Sequence, residues 1–223
     1  MNRISKNCHS RWFPRALVAV LTLASCAVLM VAVDSATRSR SASAGAVLGA
    51  GSRLWLTGKS TMHDYHSAAT EWSVAMKPRD GFAEPADAAA AEKLVREKGV
   101  AELTVSVPVT GLHSEKGGLD KNLQKALVAE KFPTIDVTLS SYTATPTGDS
   151  LAITAEGQIT VAGKTTPLKL EGVGRSTAEG LRVTGSKQLL MTAFNVKPPK
   201  MMMGTIKTRD EVVVHFDLLL SPR

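Results

Sequence analysis

Three short stretches of the sequence carry residue types that can do chemistry. Gly148-Asp149-Ser150-Leu151 spells the nucleophile motif of a family of serine esterases. A serine hydroxyl attacks only when a base is held beside it, and the Asp-x-x-His stretch that would supply one near the C-terminus does not occur. With Thr145-Pro146-Thr147 before it and an alternating segment from Leu151 to Val161 after it, the motif reads as a hairpin turn in which Gly148 and Asp149 supply the special backbone angles. Gly58-Lys59-Ser60-Thr61 looks like a phosphate loop, but Arg53 stands where such a loop needs its first glycine, and no strand-to-helix transition comes after it.

The histidines are the third candidate. His63, Asp64, His66 and His113 offer the nitrogen and oxygen donors that hold zinc, so a metal-dependent hydrolase built on His63, His66 and His113 is the enzymatic alternative. On one strand His63 and His66 would face opposite sides and could converge only from a bend; local hydrogen bonding at a strand end is the plainer reading. His215 alternates with core residues and is expected to face solvent. Met201-Met202-Met203, after Pro198-Pro199, presents thioethers that suit soft copper, or a flexible apolar plug. No acid/base pair assembles, and the expectation is a non-enzyme with no catalytic residue, no metal site and no cofactor.

Charge narrows the partners. The chain has 223 residues, 43% hydrophobic, with 27 basic and 20 acidic side chains. Residues 1–46 hold six of the basic residues and one acid, leaving 21 against 19, a net charge of +2, for the rest. A protein that tracks phosphates concentrates its Lys and Arg on the folded domain, so nucleic acid is excluded as partner. Both cysteines, Cys8 and Cys26, also lie in residues 1–46, so the chain beyond residue 46 has no disulfide, thiol nucleophile or thiolate metal site.

The first 46 residues read as an export signal or membrane anchor with a polar spacer. Residues 16–33 are an uninterrupted apolar run preceded by Arg3, Lys6, Arg11 and Arg15. At 18 residues the run is long for a secretory core of about 7–15 and at the short end of the ~17–25 that span a bilayer. A cleaved signal ending at Ala42-Ser43-Ala44, an uncleaved anchor and a lipidated Cys26 all stay open. Each leaves the positive end in the cytoplasm and carries the remaining chain across the membrane, to the periplasmic or extracellular face of a bacterial cytoplasmic membrane.

From Arg53 onward the apolar period is two, the mark of half-buried antiparallel strands. It is clear in Leu103 to Val109, in Ile153 to Val161 and in Val212 to Leu220. Eight such segments, separated by Gly, Pro, Asn or Asp, predict a mainly β protein, a sandwich or a closed eight-stranded antiparallel barrel, preceded by the N-terminal apolar helix. Two segments break the period. Pro85 to Lys98 predicts a helix that opens on proline, with Glu92 and Arg96 paired four apart and Gly99 as its stop. Leu119, Leu123 and Leu127 predict a second short helix with one apolar edge. That edge needs covering, and the open end of a barrel is the simplest place. One domain, residues 52–221, is expected.

These residues also resemble a known family. The segments from Asp120 (DKNLQKALVAEKFPTIDVTLSS), Ala152 (AITAEGQITVAGKTTPLKLEG) and Leu189 (LLMTAFNVKPPKMMMGTIKTRDEVVVHFDLLL) together resemble YceI-like proteins, polyisoprenoid-binding, lipocalin-like barrels. The opening from Leu54 fits the first hairpin of that family. Two departures are Ala193, where the similar branch carries Asp, and Asn195, where it carries Gly. The resemblance implies an exported barrel whose lumen holds an isoprenoid-type lipid or similar amphiphile for sequestration or transport, with the membrane as second partner and the oligomeric state open. The apolar parity nominates the lumen lining: Trp72, Val74, Met76, Val105, Val107 and Ile135 on the earlier strands. Val137, Leu139, Ile159, Val214, Phe216 and Leu218 complete it. The structural alternative is a barrel filled by its own side chains that serves as an interaction module in the cell envelope.

Overall fold

The structure, a computed structural model, describes residues 47–49, 51–114, 116–201 and 206–221, all within the second of two units of the chain, Ser43–Arg223. The apolar run 16–33, both cysteines, Met202 and Met203 lie outside the described residues, and of Val47 and Met201 only the backbone is described. Among the described residues no helix is long and apolar enough to cross a membrane.

In chain order the elements are β1 (Val47–Leu48), β2 (Arg53–Ser60), β3 (Asp64–Ala69), β4 (Ser73–Pro78), α1 (Ala88–Arg96) and β5 (Val100–Pro108). Next come a 3-10 turn (Val109–Gly111), β6 (Leu112–His113), α2 (Gly117–Ala126), β7 (Thr134–Thr147), β8 (Ser150–Val161) and β9 (Lys164–Thr177). The chain continues through β10 (Gly180–Leu190), a second 3-10 turn (Met191–Phe194), β11 (Lys200–Met201) and β12 (Ile206–Ser221). Ten strands make one curled antiparallel sheet, a half-barrel, in the order β4-β5-β7-β8-β9-β10-β12-β2-β3-β6, with β1 and β11 added on β12.

Twelve strands thus stand where alternation counts eight. The four additional ones are β1, β3, β6 and β11. Three of them are only two residues long, too short to display a period. β3, Asp-Tyr-His-Ser-Ala-Ala, has no apolar alternation and is a strand because its backbone pairs with β2 on one side and β6 on the other. The expected N-terminal apolar helix falls outside the described residues.

β7 to β10 form a meander whose turns match the twist of the sheet. Between β8 and β9, Ala162 (φ 48°) and Gly163 (φ 77°) are both left-handed, the primed-turn geometry that joins twisted strands without splaying them. The register of β7 on β8 shifts between Leu139 and Ser141, and that of β12 on β2 between Thr208 and Val212. Such irregularities bend a strand and help a sheet to curl.

α1 begins later than the proline suggests. Asp87 caps it, its Oδ1 accepting from the Ala90 N–H at 2.7 Å, which satisfies a donor that Pro85 cannot. The Arg96 guanidinium reaches the Glu92 carboxylate one turn back. Leu94 packs with Met76 and Val100, and Val95 with Leu151 and Leu181, so α1 covers one end of the sheet. Each such fully buried side chain stabilises the fold by about 1.5–3 kcal/mol. The edge of α2 joins the main cluster through Leu123, Ala126 and the adjoining Leu127, against Val107, Val109, Ile159 and Phe194.

Candidate functional site

The sheet is chemically two-sided. On β12, Val212, Val214 and Phe216 lie opposite Gly58, Leu56 and Leu54 of β2, whereas His215 lies opposite Trp55 and Asp217 opposite Arg53. The first set borders the interior. The second forms a compact polar cluster. The Asp217 carboxylate, 9% exposed, accepts from Arg182 at 2.6 and 2.8 Å and from Arg53 at 3.0 Å. The Arg182 hydrogen bonds first, and Arg53 with them, hold that carboxyl below its ordinary range against the opposing effect of burial. His215 stands on the outer face as expected but is half-buried there: its ring stacks on Trp55 at 5.2 Å and its Nε2 lies 3.1 Å from the Thr57 hydroxyl.

The interior is not filled. A cavity of about 180 Å³ lies between the inner face of β2, β7, β8 and β12 and two covers, α2 and the segment from Met191 to Pro199. At the ~30 Å³ that one water takes in the liquid, this is room for about six waters. Leu56, Ile135, Ile159 and Val214 form its wall, Leu119, Leu123 and Leu127 its α2 side, and Met191, Phe194 and Val196 its other cover. A second cavity, about 120 Å³, lies toward α1 and is bordered by Met76, Val95, Leu139, Ala155, Leu170 and Phe216. The Phe216 ring rests over Gly172 and Gly185; at Gly185 any Cβ would collide with it, so that glycine makes the space the ring occupies, whereas at Gly172 a Cβ would only touch the ring and would crowd the Thr184 carbonyl instead.

Ten of the twelve residues nominated as lining therefore distribute over three places, and two lie outside them. Ile135, Ile159 and Val214 border the larger cavity, and Met76, Leu139 and Phe216 the smaller. Trp72, Val105, Val107 and Val137 belong to the packed main cluster. Val74 is half-buried opposite Val105, and Leu218 half-buried opposite Val183. Parity identifies which side of the sheet a residue takes; it carries no information about where that side is solid and where hollow.

Several lining residues have no strand period to announce them. The leucines of α2 showed an apolar edge in need of cover, and the cavity is what they face. Phe194 and Val196 flank Asn195, whose φ of 60° is left-handed. Glycine enters that conformation freely and asparagine more readily than other residues, so Asn195 suits the backbone that this turn requires. Tyr65 and Ser67 come from β3, which sequence period did not reveal. Both sit opposite inward-facing positions of β2, Tyr65 against Gly58 and Ser67 against Leu56.

The polar groups of the larger cavity are few. His63 and His66 border it, with Ser60, Ser114, Asp120, Asn122 and Thr208. His113 stands beside it with Nδ1 3.5 Å from Asp120. The Asp120 carboxylate accepts from the Ser114 hydroxyl at 2.6 Å and the Ser114 N–H at 2.7 Å. These bonds, with His113, hold it below the ordinary carboxylate range. Burial pushes the Tyr65 phenol above its usual value. Among the described residues no group of three or more His, Cys, Asp and Glu stands together as a metal site. Ser150 opens β8 directly after the turn at Gly148 (φ 57°) and Asp149, with its hydroxyl donating back to the Thr147 carbonyl at 2.9 Å.

Fold and cavity together define a class: an antiparallel β protein whose inner face is left partly unfilled beneath short helices. A family model for the YceI-like domain matches residues 55–220, and the chain belongs to that family. The fold is shared with BcnA of Burkholderia cenocepacia, at 16% identity and a TM-score of 0.56 over 75% of this chain and 94% of that one. It is shared too with a polyisoprenoid binding domain from Saccharophagus degradans implicated in plant cell wall breakdown, at 10% identity and a TM-score of 0.52 over 77% and 94%. The YceI protein of Campylobacter jejuni aligns at 14% identity and a TM-score of 0.51 over 70% and 84%. No curated protein matches the chain.

Proposed function

We propose that this protein holds the apolar chain of an isoprenoid-type lipid, or of a similar amphiphile, in the cavity between α2 and the sheet, for sequestration or transport. The observation that carries the reading is the cavity itself: close-packed interiors leave few voids larger than a water molecule, and this one is about 180 Å³ with a wall of aliphatic side chains. The polyisoprenoid binding described for the Saccharophagus domain supports the same ligand class here. Burying one isoprene unit from water is worth roughly 4 kcal/mol at about 0.8 kcal/mol per carbon. Exchange from a bilayer is apolar to apolar and nearly balanced, so a carrier of this kind loads and unloads.

Closure of the half-barrel into an eight-stranded barrel belongs to this reading. β3 runs on into β4, and β5 runs through the 3-10 turn into β6. β3 pairs with β6 at Ala68↔His113, β4 pairs with β5 at Ser73↔Ser106, and between them the Thr70 N–H donates to the Gly111 carbonyl at 2.9 Å. Counting each pair as one bent strand supports a ring of eight, wide enough for side chains to fill or for one small ligand.

The reading also places the domain outside the cytoplasm, released or anchored by residues 16–33, with the membrane as its lipid source. A reporter enzyme active only outside the cytoplasm, fused after Arg223, is expected to be active; activity of a cytoplasm-only reporter at that site would refute export. For the ligand, the full chain purified from its own membranes is extracted with organic solvent and the extract compared with that of a protein of unrelated fold prepared in parallel. Enrichment of an isoprenoid-type lipid is the expected result, and equal extracts would overturn the reading.

A further inference from the structure

Ser67 is the anomaly of the interior. It is 3% exposed, it borders the larger cavity, and its hydroxyl is the buried side-chain polar atom that finds no hydrogen-bond partner among the described residues. Buried hydroxyls in folded proteins are almost always satisfied, because burying one unpaired costs more than any packing it provides. Alanine would fill the same position without that cost. The Tyr65 hydroxyl comes from two residues earlier on the same face of β3 and lies over Gly58, where a side chain would collide with it. A glycine on β2 therefore makes room for a half-buried phenol on the cavity wall.

Charge around these hydroxyls is one-sided. Among the described residues bordering either cavity there is no Lys and no Arg. The larger cavity has one carboxylate at its border, Asp120, fixed by two hydrogen bonds from Ser114. A phosphate or diphosphate brought there would lose its water, find no Lys or Arg but only the imidazoles of His63 and His66 at the border, and meet the Asp120 carboxylate, and burial of an underpaired anion is the most expensive kind of desolvation. A hydroxyl or carbonyl loses far less water and gains a partner in Ser67.

We propose that the larger cavity selects an amphiphile with an uncharged, hydrogen-bonding head, a hydroxyl or carbonyl, with Ser67 Oγ as the group that bonds it, the Tyr65 hydroxyl beside it, and phosphorylated heads excluded. The inference rests on the reading that the cavity holds a lipid chain and adds the chemistry of the head to it.

The test separates head from chain. The full chain, carrying a C-terminal affinity tag, is captured from detergent micelles that contain equal amounts of geranylgeraniol, geranylgeranyl diphosphate and the parent hydrocarbon, then washed, extracted and the bound lipid counted. The alcohol is expected to exceed the diphosphate by about tenfold or more. Ser67→Ala is expected to lower bound alcohol by about fivefold, the equivalent of one hydrogen bond, while bound hydrocarbon stays the same. The melting temperature of the lipid-free variant is expected to be unchanged or higher, which shows that Ser67→Ala folds and that the hydroxyl does not serve stability. Diphosphate bound as well as the alcohol, or alcohol binding indifferent to Ser67→Ala, would overturn the head-group inference while leaving the lipid reading intact. Capture of none of the three would overturn the lipid reading and the inference with it.

Discussion

The two faces of the sheet carry opposite kinds of chemistry on the same strands. Outside, Arg53, Trp55, Arg182, His215 and Asp217 from β2, β10 and β12 make a cluster of charge-assisted hydrogen bonds and a ring stack. Inside, the alternate residues of β2 and β12, Leu54, Leu56, Val214 and Phe216, are aliphatic or aromatic and border clusters and cavities. Leu219 is the outward exception, 5% exposed, with its carbonyl bonded to the Gly49 N–H and its side chain lying against Gly49. The difference teaches that polar specificity here holds strands in register from the outside, where water lowers the cost of charge. The interior is kept nearly free of charge, which is what an apolar ligand requires.

The comparison breaks most sharply at Val107. It is 5% exposed in the main cluster, and Val107→Asp must desolvate or protonate a carboxylate there. A loss of about 3 kcal/mol or more in a denaturant titration is expected, whereas Ala75→Asp on the exposed face of β4 shifts stability by no more than about 0.5 kcal/mol. Ser106 would be a poor outer control, because its hydroxyl donates to Asp136 Oδ1 at 2.6 Å and an aspartate there would oppose another carboxylate.

Phe216→Ala probes the inner face where it is hollow. The ring over Gly172 and Gly185 leaves a void that two glycines cannot fill, and a loss of about 2–3 kcal/mol is expected for this half-buried side chain. Calorimetry measures it, and a loss under about 1 kcal/mol would mean that the sheet collapses onto the gap.

Asp217→Asn probes the outer face. Both guanidiniums reach water, so a loss of about 1–2 kcal/mol is expected at neutral pH. Because the carboxyl lies below its ordinary range in the folded protein, the stability it contributes is present above the ordinary carboxylate pKa and is lost as pH falls through the folded value. The gap between wild type and variant should therefore be full at neutral pH and close in acid; a gap that widens in acid would contradict the cluster. The smallest effect belongs to Ser150→Ala. Its hydroxyl serves only the turn, and a change within about 0.5 kcal/mol is expected, with no loss of any hydrolytic activity measured before and after.

Much of the sheet was legible residue by residue. Leu103 to Val109 alternates cleanly because one side of the strand is packed and the other is not, whereas Val212 to Leu220 keeps the inward parity but also carries Val213 and the buried Leu219 on the outer one. β3 was illegible because its inward residues are Tyr65 and Ser67, a polar pair on an apolar wall, and hydrophobic period fails where the interior is hydroxylated. Parity places His215 on the outer face, but its partners there, Trp55 and Thr57, lie some 160 positions away, and only strand pairing brings them together. The start of α1 was misplaced because Pro85 and Asp87 both suit a helix N-terminus, and the choice fell to the carboxylate that could cap Ala90.

By itself the amino-acid sequence determined the eight longer alternating strands with their two faces and the existence of both helices, since the side-chain period of a strand or helix is a local property of the chain. It also determined that the chain beyond residue 46 carries a net charge of only +2. Only the tertiary structure decided that the inner face is hollow between α2 and β12, that Phe216 is seated on Gly172 and Gly185, and that Ser67 is buried without a partner. A void is the difference between the volume that strands enclose and the volume their side chains fill, so it belongs to no residue and leaves no pattern in sequence. An unpaired hydroxyl is likewise defined by what fails to approach it, and in β3 that is settled by strands and a helix far along the chain.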